Sequence, residues 1–406
     1  MSVNTLSFEQ SAAFLMDLYE EATGQQLSAQ IADTGTFTTV GTTLLQQGYD
    51  PIINAISVVL TKSIFSERPY SMKFKAINVD AEKWGAIVRK INYVDNPLDE
   101  TDESLSLTDG ESIDQYVVKK PSVLQTNFYG KTLYSDHVTI FTNQLDSALR
   151  DASEFGRFMA GVMTNMENKL AQISEAEARG ILANFITGKF VSDSDNCINV
   201  LQAYYDETGT ELTPANMYNK DNYAAFIRWF YGWVNTLTDF MAERCENYHV
   251  NLTGKPIMRH TPAQYMRAYM SSNMLNKTAA EVLAVTFNDE KLKMIEWEKV
   301  AFWQNIKDPY TVKATPSYFD ATTGNVVKAE EAVTVSNLLG VLFDEEALGL
   351  TETDRSVDAS PYNASGKYYN LFWHKMQCTW NDFTENGVVL YAGTITKSAG
   401  KTSSKS

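Results

Sequence analysis

Basic residues are in short supply. The chain of 406 residues holds 34 Lys and Arg against 50 Asp and Glu, a formal charge of −16, which argues against a body built to neutralise the phosphates of DNA, RNA or an anionic membrane. Cysteine is nearly absent. Cys197, Cys245 and Cys378 are too few and too scattered for a disulfide framework, and an odd count in a long chain suits a reducing compartment. Long apolar runs are missing as well: the most apolar stretch, IINAISVVL at 52–60, already contains Asn54 and Ser57, far short of the ~20 residues that span a bilayer. The first 25 residues lack the basic-then-apolar layout of a secretion signal, and their acids argue against a transit peptide. The chain is therefore expected in a cytoplasm, with no membrane partner.

Catalytic signatures are equally scarce. No Gly-x-Ser-x-Gly elbow, His-Glu-x-x-His, dinucleotide glycine fingerprint or kinase set occurs. The tail sequence GKT at 400–402 looks like the end of a phosphate loop, but the earlier glycine that loop needs falls on Ile395. Only four histidines exist, His137, His249, His260 and His374. The pairs Cys245/His249 and His374/Cys378, each four apart, invite a zinc site, but the second lies in a strand-like run, where four residues extend about 13 Å, too far to share one ion. The acid-rich 95–114 segment lacks the spaced ligands and closing glutamate of a calcium loop. No cofactor, metal or catalytic residue is predicted.

What is present is a folding composition, with 44% hydrophobic and 12% aromatic residues. Residues 8–22 have helical spacing and a second helix is predicted over 51–62, with the Gly/Thr-rich TGTFTTVGTT between them read as an extended linker. From 71 to 142 the texture is short and β-like: SMKFKAINV, WGAIVRKINYV, QYVVKK, SVLQTNFYGKTLY and HVTIFT. These runs flank the segment DNPLDETDESLSLTDGESID at 95–114, which holds eight acids, and no Lys or Arg occurs between Lys90 and Lys119. The pattern predicts a long hairpin with an acidic, solvated tip.

The strongest periodicity runs from 145 to 186. Leu145, Leu149, Ala152, Phe155, Met159, Met163, Met166, Leu170 and Ile173 place one apolar stripe along a single long helix, which Gly156 and Gly161 interrupt at a cost that tertiary packing must offset. Further helices are predicted to start at Thr213-Pro214, Thr261-Pro262 and the Thr278/Glu281 capping box. The segment 223–245 carries Phe226, Trp229, Phe230, Tyr231, Trp233 and Phe240 around most of its circumference, as for a helix central to a domain or buried between subunits. The last hundred residues return to strands, interrupted by the polar TETDRSVDASPYNASGK, and end in a Lys/Ser/Thr tail.

This α+β order of parts resembles the major capsid proteins of tailed bacteriophages, the Hong Kong 97-type fold, most closely those of small short-tailed phages of Gram-positive hosts. The local likeness is strongest in SNLLGVLFDEEALGL (336–350) and YYNLFWHKMQCTWNDFTENGVVLYAG (368–393). The resemblance implies an N-terminal arm over 1–64, an extended β-hairpin loop over 65–135 and a peripheral domain with a spine helix over 136–190. An axial domain over 191–350, peripheral return strands over 351–392 and a flexible tail over 393–406 complete it. It implies self-assembly through hexamers and pentamers into an icosahedral or prolate virion shell around double-stranded DNA, built in the host cytoplasm. Portal and scaffolding proteins, and a head fibre or decoration protein, are the partners it implies, with the DNA touched only weakly and non-specifically. The residues singled out for assembly are Asp99, Glu100, Asp102 and Glu103 at the hairpin tip, Leu149, Phe155 and Met159 on the long helix, and Trp229 and Trp233. A tail or fibre component, or a cytoplasmic hydrolase using dispersed carboxylates, are the alternatives.

Overall fold

The computed structural model describes residues 6–27, 30–62, 73–79, 88–94, 107–113, 116, 123–128, 131–281 and 297–396. Helices α1 (Phe8–Thr23), α2 (Thr34–Gln46) and α3 (Tyr49–Lys62) come first, then strands β1 (Asn78–Val79), β2 (Val88–Tyr93), β3 (Val123–Phe128) and β4 (Lys131–Phe141). Helices α4 (Thr142–Arg150) and α5 (Ala152–Ser192) lead to β5 (Cys197–Asn199), α6 (Val200–Thr208), α7 (Lys220–Ala242), β6 (Met266–Ser271) and α8 (Ser272–Glu281). Strands β7 (Trp297–Val300), β8 (Val312–Ala314), β9 (Ser317–Phe319), β10 (Val326–Lys328) and β11 (Val333–Val335) follow. The chain closes with β12 (Leu338–Asp344), β13 (Leu348–Ala359), β14 (Tyr368–Asn381) and β15 (Gly387–Tyr391). It divides into two units: Met1–Ala86, Gly130–Glu177 and Leu350–Cys378 make the first, and Ile87–Tyr129, Ala178–Gly349 and Thr379–Ser406 the second.

In the first unit, α1 opens with a capping box: Ser7 Oγ accepts from Gln10 N at 3.2 Å and Gln10 Oε1 accepts from Ser7 N at 3.0 Å. The TGTFTTVGTT stretch is helix α2, not an extended linker. Its β-branched threonines are poor helix formers, but Asp33 caps it by accepting from Thr36 N at 2.7 Å. Its face of Phe37, Val40, Gly41 and Leu44 is buried, and that tertiary burial outweighs propensity. The three N-terminal helices thus share a core with α4 and the first half of α5, in which Leu15, Leu18, Phe37, Leu44, Ile52 and Ile56 are fully buried.

The long helix predicted from residue 145 is two helices. The chain is extended at Asp151 (φ −136°, ψ 124°), whose Oδ1 accepts from Ser153 N at 2.8 Å to start α5. The later helix then outruns the expectation, reaching Ser192 over 41 residues. Its apolar stripe within this unit, Met159 through Leu170, lies in the same core as Ile140 of β4 and Tyr369, Leu371 and Trp373 of β14. The sheet runs β1-β13-β14-β4, with β14 and β4 antiparallel and in register over eleven pairs from Tyr368↔Phe141 to Cys378↔Lys131. The polar stretch read as an interruption runs as strand β13 up to Ala359: Arg355 is held by Glu167 and Glu352 by Lys375 at 3.1 Å, while Thr351 and Val357 turn inward.

The second unit is built on a five-stranded sheet, β5-β15-β12-β6-β7. Central β12 pairs antiparallel with β15 and β6, and all seven of its residues are buried, as a strand covered on both faces requires. Helices α6 and α7 pack their aromatic and aliphatic faces into its core, where Tyr223, Phe226, Phe230 and Val234 are fully buried. Two small antiparallel pairs, β8–β11 and β9–β10, and the ribbon β2–β3 complete the unit. Three predicted helix starts are corrected here. Thr213 opens a turn closed by Asn216, whose Oδ1 accepts from Thr213 N at 2.7 Å. Thr261 is buried and donates to Asp344 Oδ2 at 2.7 Å, so its hydroxyl is not a cap and the chain continues into β6. Thr278 lies inside α8.

Candidate functional site

The predicted hairpin is present at its base as the ribbon β2–β3, antiparallel from Val88↔Phe128 to Tyr93↔Val123. Ile91 and Val123 are exposed on it. The four tip acids, Asp99, Glu100, Asp102 and Glu103, lie outside the described residues.

The ribbon carries a charged centre that its sequence did not announce. Lys90 Nζ contacts Glu385, Glu346 at 2.8 Å and Asp382 at 3.3 Å. Glu385 is shared with Arg259, whose Nη1 approaches it at 2.9 Å. Burial pushes the Glu385 carboxyl up to about 7 against the pull of these two cations, while the surrounding carboxylates outweigh burial at Lys90 and raise it above the usual lysine range. No spacing rule links residues 90, 259, 346, 382 and 385; the fold alone brings them together.

The long-helix residues chosen for assembly are inside the first unit. Leu149, Phe155 and Met159 are all 0% exposed, and Phe155 meets Phe14 and Phe37 at ring distances of 5.9 and 5.8 Å. In the second unit Trp229 and Trp233 stack at 5.6 Å along α7. They are half-buried rather than enclosed: Trp229 Nε1 donates to Glu207 at 2.6 Å and its ring meets Tyr204 at 5.0 Å. About two turns beyond Trp233, Phe240 is 56% exposed.

A cavity of about 560 Å³ in the second unit is lined by Arg244, Arg259, His260, Asp344, Glu345 and Glu385, among others. Arg259 and Glu385 face one another there, and Arg259 also donates to the Thr384 carbonyl at 3.0 Å, so these two groups are spent on each other and on the backbone. His249 is buried with one ring nitrogen 3.0 Å from Asn386 Oδ1 and the other 2.6 Å from the Ile257 carbonyl. Burial pushes the Cys197 thiol up to about 12, the wrong direction for a nucleophile or metal ligand. Lys189 is fully buried, 2.5 Å from Asp193 and 3.1 Å from the Tyr248 carbonyl, and desolvation lowers its pKa. Among the described residues, no group of three His, Cys, Asp or Glu side chains is placed to hold a metal, and no helix is long and apolar enough to cross a membrane. The GKT of the tail lies outside the described residues.

No curated protein matches the chain. Among solved structures, a chain from the structure of head fiber and inner core protein gp22 of native bacteriophage P68 is similar with a TM-score of 0.51 and 9% identity, over 82% of this chain and 87% of that one. The capsid structure of Staphylococcus phage Andhra gives 0.48 at 10% identity over 82% and 87%. That of the cyanophage P-SCSP1u gives 0.44 at 10% identity over 82% and 91%. At 9% identity the likeness to the P68 chain is one of fold. The sequence model for Phi29-like phage major capsid proteins matches residues 17–391. Nearly the whole chain is covered by that match, and the chain belongs to the Phi29-like phage major capsid protein family.

Proposed function

We propose that this chain is the repeating subunit of a phage head, assembling with copies of itself as hexamers and pentamers into the closed shell around double-stranded DNA, and that it performs no catalysis. The family match over residues 17–391 carries this reading. The charge of −16 supports it, because a wall that binds the polymer tightly would hold it during filling. Half-exposed Trp229 and Trp233, exposed Phe240, and Ile91 and Val123 on the ribbon are apolar surface of the kind that neighbours bury in an assembly.

The division of labour follows the order of parts: 1–64 as the arm, 65–135 as the extended loop laid over a neighbour, 136–190 with 351–392 as the peripheral domain, 191–350 as the axial domain and 393–406 as the tail, except that the peripheral boundaries move to 177 and 378, because 178–190 and 379–392 belong to the second unit and β15 lies in its five-stranded sheet. A portal and a scaffolding protein are the partners proposed, with a head fibre or decoration protein on the outer surface, in a virion of the short-tailed type. Negative-stain microscopy of the purified chain, alone and with a co-expressed scaffolding protein, tests the reading. Closed shells are expected. A strict monomer under all conditions, or open tubes or isolated trimers, overturns it.

A further inference from the structure

A two-stranded ribbon of six residue pairs is marginal by itself in water, so the direction of β2–β3 depends on what grips it. Among the described residues of the second unit, Lys90, Asn92 and Phe128 make such contacts. Lys90 reaches Glu346, Asp382 and Glu385; Asn92 Oδ1 accepts from Arg259 Nη1 at 3.2 Å; and Phe128 packs on Trp380 with ring centroids 6.4 Å apart. The receiving side is rigid. Asp382, Thr384, Glu385 and Asn386, which join β14 to β15, are all buried. Asp382 Oδ1 accepts from Thr384 N at 2.9 Å and from its hydroxyl at 2.6 Å. Its Oδ2 is buried without a hydrogen-bond partner, so the Lys90 ammonium at 3.3 Å is what compensates it.

A further fact makes this centre able to open: Lys90 divides its ammonium between two buried carboxylates, Asp382 and Glu385, and Glu346 at the surface. Glu346, with its side chain 65% exposed, is the side from which a competing cation enters.

We propose that Lys90 and this acidic socket are a latch. Closed, it fixes the ribbon on the body of the second unit; opened, it lets the ribbon swing while the five-stranded sheet stays folded. Its consequence for assembly rests on the shell reading above: a ribbon that must reach a neighbouring copy is aimed by the latch, and a lysine or arginine brought by that copy competes for Glu346 and so couples docking to release.

Hydrogen–deuterium exchange on the full, unassembled chain tests the latch. In Lys90→Met the β3 amides Val123–Phe128 are expected to exchange about 10-fold faster or more, with β12 amides Leu338–Asp344 unchanged, because only the ribbon loses its grip. Glu385→Gln, which keeps the side-chain shape and the other two acids, is expected to give a smaller acceleration confined to the same strand, and it decides the matter should Lys90→Met fail to fold. Unchanged ribbon exchange in the variants, or acceleration spreading equally to β12, overturns the latch. Wild-type shells alongside either of those results leave the shell reading standing; the absence of wild-type shells sinks that reading whatever the ribbon does.

Discussion

Gly41 of α2 lies so close to Leu149 of α4 that a Cβ at position 41 would stand 2.0 Å from the Leu149 carbonyl oxygen. That single approach ties an N-terminal helix to the helix before α5 through backbone, which cannot yield as a side chain can. Gly41→Ala is therefore expected to destabilise the unassembled subunit by about 3 kcal/mol, at the upper end of overpacking costs, measured by urea unfolding. A variant as stable as the wild type would show that α2 does not sit there.

Truncation follows from the same packing. Phe155 is fully buried against Phe14 and Phe37, so Phe155→Ala should cost about 3–5 kcal/mol. Removal of residues 1–46 exposes the same face of α5, and the product is expected to be insoluble or to bind a hydrophobic dye. A soluble, well-folded truncation would show that α5 does not depend on α1 and α2.

Lys189 and Asp193 give a test of buried charge. With Lys189 fully buried and 2.5 Å from Asp193, Asp193→Ala leaves an uncompensated ammonium and should cost about 3–5 kcal/mol, whereas Lys189→Met combined with Asp193→Ala should recover most of that loss. Thermal unfolding of the two variants reads the difference.

Glu385 supplies a pH dependence with a definite sign. Burial raises its pKa in the folded state to about 7, from an unfolded value of 4.5, so the folded state holds the proton more tightly than the unfolded one. Its contribution to stability is present in full below about 4.5 and lost as the pH rises through about 7. The stability of the wild type minus that of Glu385→Gln should therefore fall across that window. A difference that stays flat with pH would show that Glu385 titrates as an ordinary exposed acid.

The hairpin tip carries the last prediction. Changing Asp99, Glu100, Asp102 and Glu103 together to their amides is expected to alter shell yield or its dependence on salt, followed by light scattering; identical assembly curves would mark the tip as merely solvated.

Several elements were readable in the chain before any folding. The period-marked helices α1, α3 and α7 and, β13 apart, the strands of the last hundred residues announce themselves through local pattern, since each buries one face and repeats accordingly. Of the apolar stripe read from Leu145 to Ile173, the part to Leu170 is buried on one face and Ile173 is half-buried; the break at Asp151 is not legible in it, because an aspartate capping from within a periodic run leaves the periodicity intact. α2 was missed for the opposite reason: threonine and glycine argue against helix locally, and only the core that receives Phe37, Val40 and Leu44 reverses the balance. Thr261-Pro262 carries a helix-start signature, but the hydroxyl is committed to Asp344, a residue 83 positions away.

By itself the sequence determined that this is a folded, acidic, cysteine-poor α+β chain without a catalytic motif, and its order of parts was enough to resemble a phage shell subunit, because composition and period are local properties that survive without coordinates. The scarcity of basic residues took on its meaning only in three dimensions. Lys90 and Arg259, far apart in the chain, converge on Glu385 because it lies in the turn between β14 and β15 and the ribbon reaches the same turn. Convergence of that kind is set by the path of the chain, and a charge becomes a latch only when the fold removes the water that would otherwise screen it.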